Sequence, residues 1–365
     1  MFDEKKEYVI VSATALAASG ALTILRQFIE QASINKNNFI IFVPSTLALP
    51  NYENITYVKT APKGWLKRIY WDWIGCKKFI KRESLRVKKV ICLQNSSMNV
   101  PYPQIIYLHQ PIPFSNIDFF FKEFNLNNFK LLLYKKFYAI FIFKFINKQS
   151  IFVVQTEWMK SSLLNRCRNL NVKQIVVLRP DIKLFEARLD NEEISKNTLL
   201  YPATALSYKN HLVILKSLTL LKKQFGINDI KFQVTFDKGQ YKVFDRYVYE
   251  NDLSTNIEYL GVISYIELQK KYLSASLVVF PSYIESYGLP LIEAAILGKR
   301  IICSDLPYAR DVLNNYEGGI FVKYNDENNW ANVIYDVLTN KSYTQIRPYE
   351  NDNCSSWPRF FDLIQ

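Results

Sequence analysis

The sequence predicts an α/β fold made of two domains, each built on a parallel β-sheet with helices on both faces. In the C-terminal half, short apolar segments alternate with segments of helical periodicity. The N-terminal half repeats this alternation less regularly, and a polar segment rich in acidic residues, 179–197, separates the two halves. Alternation of strands and helices is typical of parallel sheets. We therefore expect two Rossmann-like domains facing across a cleft, with ligands bound beyond the carboxyl ends of the strands.

The predicted elements of the N-terminal half begin with an apolar strand, a turn of small residues and a helix at 21–32. The stretch 8–25 is apolar enough to resemble a signal peptide, but the acidic residues Asp3, Glu4 and Glu7 precede it. We therefore expect the opening of a Rossmann-like unit instead. The strands expected in this half are 8–12, 38–43, 89–92, 104–109 and 151–155.

The C-terminal half contains five short apolar segments and four segments with helical periodicity. The domains expected from this pattern are 1–182 and 183–345, followed by a C-terminal segment, 346–365. The strands expected in this half are 199–202, 231–235, 257–260, 277–280 and 300–304, and the helices are 211–223, 266–274, 289–297 and 327–338.

The composition excludes several classes of protein. The chain has 365 residues, 49% of them hydrophobic, and its five scattered cysteines form no CxxC pair, which argues against a zinc site or a disulfide framework. No segment has the ~20 uninterrupted apolar residues of a membrane-spanning helix. The chain has neither a GxGxxG motif nor a P-loop, so a dinucleotide cofactor is not expected. The net charge of +13 leaves nucleic acid, anionic lipid and a phosphorylated substrate open as acidic partners.

The segment from Phe280 to Arg300 holds the most informative pattern of the chain. It contains Glu285 and Glu293, and a tight turn between them leads into a helix that begins near Pro290. Free backbone N–H groups and the helix dipole at such a helix start attract anions. Carboxylates beside a phosphate-binding turn are suited to accept hydrogen bonds from hydroxyls, such as those of a ribose and a sugar. The pattern therefore predicts a site for a nucleotide sugar.

Several other residues follow predicted strands and are candidates for the same chemistry. Lys209 could neutralise a diphosphate, although a solvated surface lysine is the alternative, and the absence of an Asp-x-Asp pair disfavours a metal in that role. We expect His109 to project from a strand end into the cleft, with a core histidine as the alternative. Ser19 and Gly20 allow close approach of a ligand to the backbone, or form a plain turn. We expect His211 at a helix start, facing solvent or phosphate.

These features together resemble the retaining, nucleotide-sugar-dependent glycosyltransferases of family four (glycosyltransferase group 1), which have the GT-B fold. The pattern P-S-x-x-E-x-x-G-x-P-x-x-E-A-x-x-x-G, from Pro281 to Gly298, carries the resemblance. Supporting matches are Lys209 with the asparagine that follows it, the strand end 258–261, the segment 154–160 and the strand end at His109. The matches extend over roughly residues 8–340 and imply an enzyme of the bacterial surface-polysaccharide type.

The resemblance implies a role for each matching residue. Glu293 would bind the ribose hydroxyls, Glu285 the hydroxyls of the donor sugar, and Lys209 the diphosphate in place of a metal. Val262 would lie beside the base, and His109 beside the reacting carbon of the sugar. The catalytic residues implied are His109, Lys209 and Glu285. The donor-binding residues implied are Ser19, Gly20, Thr204, Lys209, Val262, Glu285, Ser286, Tyr287, Gly288, Leu289 and Glu293.

The chain departs from the family's pattern at two positions. The family usually has an arginine shortly before the lysine, where this chain has residues 204–207, and a glycine at the position of Ser19. The phosphate clamp is then weaker, or another base such as Lys238 contributes. The family further implies front-face displacement with retention of configuration, without a metal or cofactor. It also implies that the segment 346–365 crosses back to the N-terminal domain.

Two N-terminal segments, 63–82 and 129–145, combine basic residues with large aromatic residues. Trp65, Ile69 and Trp73 share a predicted helical face, and such helices suit the headgroup region of an anionic membrane. The alternative is ordinary packing of the domain with a solvated basic face. The residues expected to contact the membrane or the acceptor are Trp65, Lys67, Arg68, Trp71, Trp73, Lys77 and Lys78.

The sequence thus predicts a metal-independent retaining hexosyltransferase, mannosyltransferase-like, that acts in O-antigen, capsule or lipopolysaccharide biosynthesis. We expect a GDP- or UDP-sugar donor, an undecaprenyl-diphosphate-linked saccharide or an oligosaccharide as acceptor, and a cytoplasmic location on the inner face of the cytoplasmic membrane. The alternatives are a soluble enzyme of the same fold that makes a small glycoside or disaccharide, and a non-catalytic basic binding protein. Nucleic acid is not an expected partner, because the chain has no nucleic-acid-binding motif.

Overall fold

The computed structural model describes residues 2–17, 19–60, 65–115, 126–182, 194–340, 346–350 and 355–365. The contacts divide the chain into two units. The N-terminal unit extends to residue 181 and includes the C-terminal helix, whereas the C-terminal unit begins at residue 182 and also includes residues 126–131. The domain boundary expected from the sequence, after residue 182, differs by one residue.

The N-terminal unit is built on a seven-stranded parallel sheet with the strand order β3-β2-β1-β4-β5-β6-β7. The order runs outward from β1 in both directions, which is the doubly wound arrangement. Its strands are β1 Glu7–Ser12, β2 Asn38–Pro44, β3 Ile55–Thr60, β4 Arg86–Cys92, β5 Gln104–Leu108, β6 Ile151–Val154 and β7 Ile175–Val177. Its helices are α1 Ser19–Ser33, α2 Trp65–Tyr70, α3 Cys76–Arg82, α4 Leu126–Phe143 and α5 Glu157–Arg166, and a π-helical turn, Trp71–Gly75, joins α2 to α3.

Alternate residues of β1 show how this sheet is buried on both faces. Val9 and Val11 belong to one apolar cluster, which includes Phe28 of α1. Tyr8 and Ile10 belong to a second cluster, which includes residues of α3, α4 and α5. Successive side chains of a strand point to opposite faces, so a continuous apolar strand requires helices on both sides.

The C-terminal unit is built on a six-stranded parallel sheet with the strand order β10-β9-β8-β11-β12-β13. Strands β9 and β10 lie on one side of β8, and β11 lies on its other side, so the strand order reverses between β8 and β11. Its strands are β8 Ser195–Tyr201, β9 Lys231–Val234, β10 Ile257–Tyr259, β11 Ala275–Phe280, β12 Ile301–Ser304 and β13 Gly319–Val322. Its helices are α6 His211–Phe225, α7 Lys242–Glu250, α8 Tyr265–Ser274, α9 Leu289–Ile296, α10 Pro307–Val312 and α11 Glu327–Thr339.

The chain ends in a helix, α12 Trp357–Asp362, that packs on the N-terminal sheet. The Trp357 ring stacks on Tyr107 with centroids 6.2 Å apart, and its Nε1 donates to Gln27 Oε1 at 3.2 Å. Residues 346–350 belong instead to the C-terminal unit, where the backbone N–H of Tyr349 donates to the carbonyl of Ala295 at 2.9 Å. The crossing back expected for 346–365 is therefore made within the described part by residues 355–365 alone.

The strands absent from the sequence prediction are short or lie at a sheet edge. Strand β3 is an edge strand with alternating polar residues, and β7 and β13 have only three and four residues. Short, half-exposed strands give a weak alternation signal. The fold class is nevertheless as predicted, because the fully apolar central strands define both sheets.

Candidate active site

The candidate site of the C-terminal unit lies at the carboxyl edge of its sheet, where β8 and β11 end side by side. The loop after β8 contains a 3₁₀ turn, Ser207–Lys209, and leads into α6. The loop after β11 leads into α9. The strand order reverses at this point, which is where open parallel sheets bind their ligands.

The structure brings together Lys209 and Glu285, one from each of these loops. Lys209 Nζ lies 2.6 Å from Glu285 Oε1, and the two side chains are only 14% and 13% exposed. Burial opposes the charged form of the lysine, but the charge of Glu285, the charge of Tyr208 and the hydrogen bond to Glu285 together raise the pKa of Lys209 above its ordinary value. The lysine is thus a partly buried cation, held by a carboxylate, and the alternative of a solvated surface lysine is wrong.

Hydrogen bonds from neighbouring residues fix the two loops to each other. Asn210 adopts a left-handed conformation, with φ 56°, and its Nδ2 donates to the carbonyls of Pro281 at 3.1 Å and of Tyr324 at 2.8 Å. Asparagine tolerates this conformation better than most residues. The Tyr201 hydroxyl donates to the carbonyl of Lys209 at 2.8 Å and lies 2.7 Å from Ser282 Oγ. These hydrogen bonds therefore hold in place the two loops that carry Lys209 and Glu285.

Glu293 lies on α9 and is buried, with 8% of the residue exposed. Its Oε2 accepts a hydrogen bond from the Tyr272 hydroxyl at 3.1 Å, and the Tyr265 hydroxyl also hydrogen-bonds to it. Burial raises the pKa of Glu293, and these hydrogen bonds counteract the rise. The carboxylate accepts hydroxyl hydrogens, which is the chemistry predicted for it, although both hydroxyls belong to tyrosines of the same unit.

The start of α9 requires a glycine. Gly288 is the N-cap residue and has φ 83°, a left-handed conformation that side chains disfavour. A Cβ atom at this position would lie 3.3 Å from Leu291 Cδ1. Pro290 occupies the first turn of the helix, where its missing N–H costs no hydrogen bond. The positive end of the helix dipole thus faces the same loop as Glu285.

Two predicted donor residues lie apart from this cluster or at its margin. Val262 follows β10, two strands away from β8, and is 89% exposed. Thr204 is exposed in the loop after β8. Ser286, Tyr287 and Leu289 lie in the loop and first turn between Glu285 and Glu293.

In the N-terminal unit, His109 follows β5 and is held by Asn95, which follows β4. Asn95 Oδ1 accepts hydrogen bonds from the backbone N–H of His109 at 2.6 Å and of Gln110 at 2.9 Å. His109 Nε2 lies 3.0 Å from the carbonyl of Leu93 and 3.1 Å from Asn95 Nδ2. Burial lowers the pKa of His109 to about 4, so the imidazole is neutral at pH 7. A neutral ring can both donate and accept a hydrogen bond.

Sequence reasoning missed a buried acidic residue beside this site. Asp72 accepts hydrogen bonds from Gln94 Nε2 at 3.0 Å and from Ser96 Oγ at 2.8 Å, and Gln94 Oε1 accepts one from Thr14 Oγ1 at 2.9 Å. Burial raises the pKa of Asp72 to about 6. Asp72 lies in the π-helical turn, and such turns often occur at functional sites. No local pattern in the sequence marks this residue, because its partners come from separate segments.

Two predictions about the ends of helices were wrong. His211 does not face solvent or phosphate, because its ring is fully buried, 4.6 Å from the Tyr201 ring and 5.1 Å from the Phe236 ring. Burial and the charge of Lys209 lower the pKa of His211 to about 3. Ser19 and Gly20 are the first residues of α1 rather than part of a turn before it.

The predicted basic aromatic surface is arranged differently from the expectation. The Trp71 ring contacts Phe42 at 4.7 Å and the Trp73 ring contacts Phe145 at 5.4 Å, so both tryptophans pack against the unit. The side chain of Trp65 lies outside the described residues. Arg68 is partly buried, and its charge affects the pKa of Asp72 and of His109. The exposed residues among those described in the segment 63–82 are Leu66, Lys67, Tyr70, Ile74, Lys77, Lys78, Lys81 and Arg82.

A second exposed apolar stripe follows α4, with Leu133, Phe137 and Ile140 at 42%, 43% and 52% exposure. Lys136 is exposed beside it. None of the helices in the described ranges is long and apolar enough to cross a membrane.

Two Rossmann-like units, each built on a parallel sheet, are the two domains of a GT-B fold. Residues 186–352 match the family model of the glycosyl transferases group 1. This match lies within the C-terminal unit and covers less than half of the chain. It agrees with the resemblance to the group 1 glycosyltransferases that the sequence pattern indicated.

Comparison with individual proteins gives the same class. The O-antigen chain mannosyltransferase RfbU of Salmonella typhimurium is 22% identical over 294 residues, which are 80% of this chain and 76% of that protein. The crystal structure of WaaG, a glycosyltransferase involved in lipopolysaccharide biosynthesis, matches with a TM-score of 0.70 at 12% identity and covers 92% of this chain and 91% of WaaG. HepE of Anabaena, solved in complex with UDP and glucose, matches with a TM-score of 0.62 at 11% identity over 92% of this chain and 91% of HepE.

Proposed function

We propose that the protein is a metal-independent, retaining hexosyltransferase that moves a sugar from a GDP- or UDP-linked donor to an undecaprenyl-diphosphate-linked saccharide. The similarity to the mannosyltransferase RfbU and to WaaG supports a role in O-antigen, capsule or lipopolysaccharide synthesis. The enzyme would work in the cytoplasm, bound peripherally to the inner face of the cytoplasmic membrane.

The observation that carries the proposal is the Lys209–Glu285 pair beside the start of α9. A partly buried ammonium and the positive end of a helix dipole both stabilise a diphosphate. Glu285, separated from the lysine by an arriving diphosphate, would be left to accept hydrogen bonds from the donor sugar. Glu293 would exchange its tyrosine hydroxyls for those of a ribose. The site thus offers positive groups for the diphosphate and two carboxylates for hydroxyls of the donor.

The proposed reaction is a front-face displacement. The bond between the anomeric carbon and the diphosphate oxygen breaks, and the acceptor oxygen forms its bond on the same face of that carbon. The proton of the acceptor hydroxyl moves to the departing diphosphate oxygen. Lys209 would stabilise the charge that develops on the leaving group, which is usually the largest contribution to catalysis. His109, being neutral at pH 7, would hydrogen-bond to a hydroxyl of the transferred sugar and so orient it.

The exposed apolar residues next to cations in the N-terminal unit support a lipid-linked acceptor. Leu66, Tyr70 and Ile74 are 75%, 51% and 42% exposed, and Lys67 and Lys77 are exposed beside them. Apolar groups at the level of lipid headgroups, together with cations near anionic lipid, would hold the enzyme at the membrane surface.

The test is a transfer assay with GDP- and UDP-hexoses, a polyprenyl-diphosphate-linked saccharide and a chelator in excess. The proposal expects transfer to proceed and the anomeric configuration of the donor to be retained in the product, as read by NMR coupling constants. Transfer that stops with the chelator and returns with a divalent cation would contradict the metal-independent reaction. An inverted product would contradict the front-face displacement.

A further inference from the structure

A groove of about 580 Å³ lies on the N-terminal unit, between the ends of β2 and β3 and the helical segment 70–82. Its lining is aromatic and cationic, with Tyr70, Trp71 and Phe79 on one side and Val58 and Thr60 of β3 on the other. A volume of this size is in the range of sites that bind small molecules. The residues that line the groove do not include His109, Lys209, Glu285 or Glu293.

The floor of the groove is formed by closely packed aromatic rings. Phe42 lies 4.7 Å from the Trp71 ring and 4.9 Å from the Phe79 ring. The Trp71 ring lies so close to Gly75 that a Cβ atom there would be 2.7 Å from Trp71 Cε3. Glycine at 75 therefore leaves room for the Trp71 ring. The result is an apolar floor, suited to hydrocarbon.

The rim of the groove is cationic. Lys78 and Arg82 are exposed and stand one turn apart on α3. Arg82 lies over the Phe79 ring at 5.4 Å and pairs with Glu83 at 2.8 Å. Lys78 takes part in none of the ion pairs found among the described residues. The groove thus combines an apolar floor with an unneutralised positive charge.

The groove opens onto the exposed apolar face of α2 and the π-helical turn. Tyr70 belongs to both, since it lines the groove and is 51% exposed. Leu66 and Ile74 continue this face on either side of it. A hydrocarbon chain that leaves the groove past Tyr70 would therefore meet further apolar side chains before it reached lipid.

We propose that this groove binds the phosphorylated end of an isoprenoid chain, with its first isoprene units on Trp71 and Phe79 and its phosphate beside Lys78. The proposal rests on the proposed function in one respect, namely that the acceptor is lipid-linked. It adds a binding site for the lipid part of the acceptor, separate from the residues that hold the sugar donor. Charge complementarity and the aromatic floor together favour an amphiphilic anion over a purely apolar or purely anionic ligand.

The experiment measures binding of farnesyl diphosphate by calorimetry, below the concentration at which it forms micelles. Inorganic diphosphate, farnesol and an acyl phosphate of similar length are the comparison ligands. We expect farnesyl diphosphate to bind more tightly than all three. Lys78→Ala should weaken it roughly tenfold or more, since hydrogen bonds to charged groups contribute about 1.5–3 kcal/mol.

Lys81→Ala is the matched control, because it removes the same charge from an exposed position of the same helix that does not line the groove. We expect its affinity to stay within a factor of about two, since exposed charges contribute little. Gly75→Ala, which displaces the Trp71 ring, should weaken binding while the fold is retained by circular dichroism. Equal losses of farnesyl diphosphate affinity in Lys78→Ala and Lys81→Ala would overturn the proposed site. They would show only a general attraction of anions to this surface. Equal affinity for the acyl phosphate would overturn the isoprenoid specificity.

Failure of this proposal can be told apart from failure of the proposed function. Nucleotide binding depends on residues of the C-terminal unit and should be the same in Lys78→Ala and the unaltered protein. If nucleotides bind and farnesyl diphosphate does not, the groove proposal fails and the transferase proposal stands. If farnesyl diphosphate binds and no nucleotide does, the groove proposal stands and the transferase proposal fails.

Discussion

Lys209 Nζ lies 2.6 Å from Glu285 Oε1, and these two residues come from loops that follow neighbouring strands but are 76 positions apart in the chain. Each charge neutralises the other in a setting that is largely shielded from water. Removal of one partner of such a pair leaves an uncompensated charge, which costs more than the intact pair contributes. The pair therefore contributes to the stability of its loops, in addition to the role in donor binding that we propose for it.

The first prediction concerns this coupling. Lys209→Ala and Glu285→Ala should each lower the free energy of unfolding by about 1–3 kcal/mol, because each leaves a partly buried charge without its partner. The double variant should recover part of the loss, which denaturant unfolding of all four proteins would measure as a coupling energy. Transferase activity should be lost in all three variants. The double variant should therefore regain stability without regaining activity. Additive stability losses would contradict the coupling.

The second prediction concerns the start of α9. Gly288→Ala should destabilise the protein by about 1–2 kcal/mol, because φ 83° strains a residue with a side chain, and it should weaken nucleotide binding in addition. Gly226→Ala is the matched control, since Gly226 has φ 67° and no atom within 4 Å of the added Cβ. The control should lose stability by a similar amount but keep its nucleotide affinity. Equal nucleotide affinities in the two variants would contradict a role of the Gly288 loop in nucleotide binding.

The third prediction concerns His211 and acid stability. Burial and the charge of Lys209 lower the pKa of His211 to about 3, whereas an unfolded histidine titrates near 6.5. Below pH 6.5 the unfolded chain binds a proton that the folded chain excludes, so this contribution to stability is full above pH 6.5 and declines as the pH falls toward 3. His211→Phe keeps a ring in the aromatic cluster and removes the titration.

The melting temperatures of His211→Phe and the unaltered protein, measured in steps from pH 7.5 down to pH 4, check this prediction. The difference between the two should grow in favour of the variant as the pH falls. Other titrating groups, including Asp72, contribute equally to both proteins and cancel in the difference. Parallel curves would contradict this prediction, because they would show that folding does not hinder protonation of His211.

The fourth prediction concerns the exposed apolar face of the N-terminal unit. Replacement of Leu66 and Ile74 by serine should reduce sedimentation with vesicles that contain anionic lipid, because both side chains would enter the headgroup region. Ile34→Ser, at a position 79% exposed elsewhere on the unit, is the matched control and should sediment like the unaltered protein. Equal sedimentation of both variants would contradict docking through this face. High salt should weaken binding in all cases, since cations contribute through screened attraction.

The fold could be predicted because its central strands are apolar on both faces and alternate with helices. The loop that carries Glu285 and the start of α9 could be predicted because the two glutamates, the turn and the proline have fixed spacing. The spacing along the sequence could not predict which side chains lie close together in the fold. The pairing of Lys209 with Glu285, rather than their separate use, depends on the adjacency of β8 and β11, which is a property of the sheet order.

The failures have physical causes as well. The prediction that Trp65, Ile69 and Trp73 share a face assumed a regular α-helix. The π-helical turn Trp71–Gly75 has a different rotation per residue, and the Trp73 ring lies against Phe145. His211 is the first residue of its helix, and a single histidine carries no periodicity to show that it faces inward. The network around Asp72 joins residues from three separate segments, so no local pattern announces it.

The central claim is that the C-terminal unit binds a nucleotide sugar through Glu293 and the neighbouring loops without a metal. It is tested most directly by thermal unfolding with a panel of nucleotides and nucleotide sugars in the presence of a chelator, for the unaltered protein and for Glu293→Ala and Glu293→Gln. A ligand that binds the folded state must raise its melting temperature. The account predicts a rise with the nucleotides of one base and little or no rise in either variant. No rise with any nucleotide in the folded protein, or an equal rise in the variants, would contradict it.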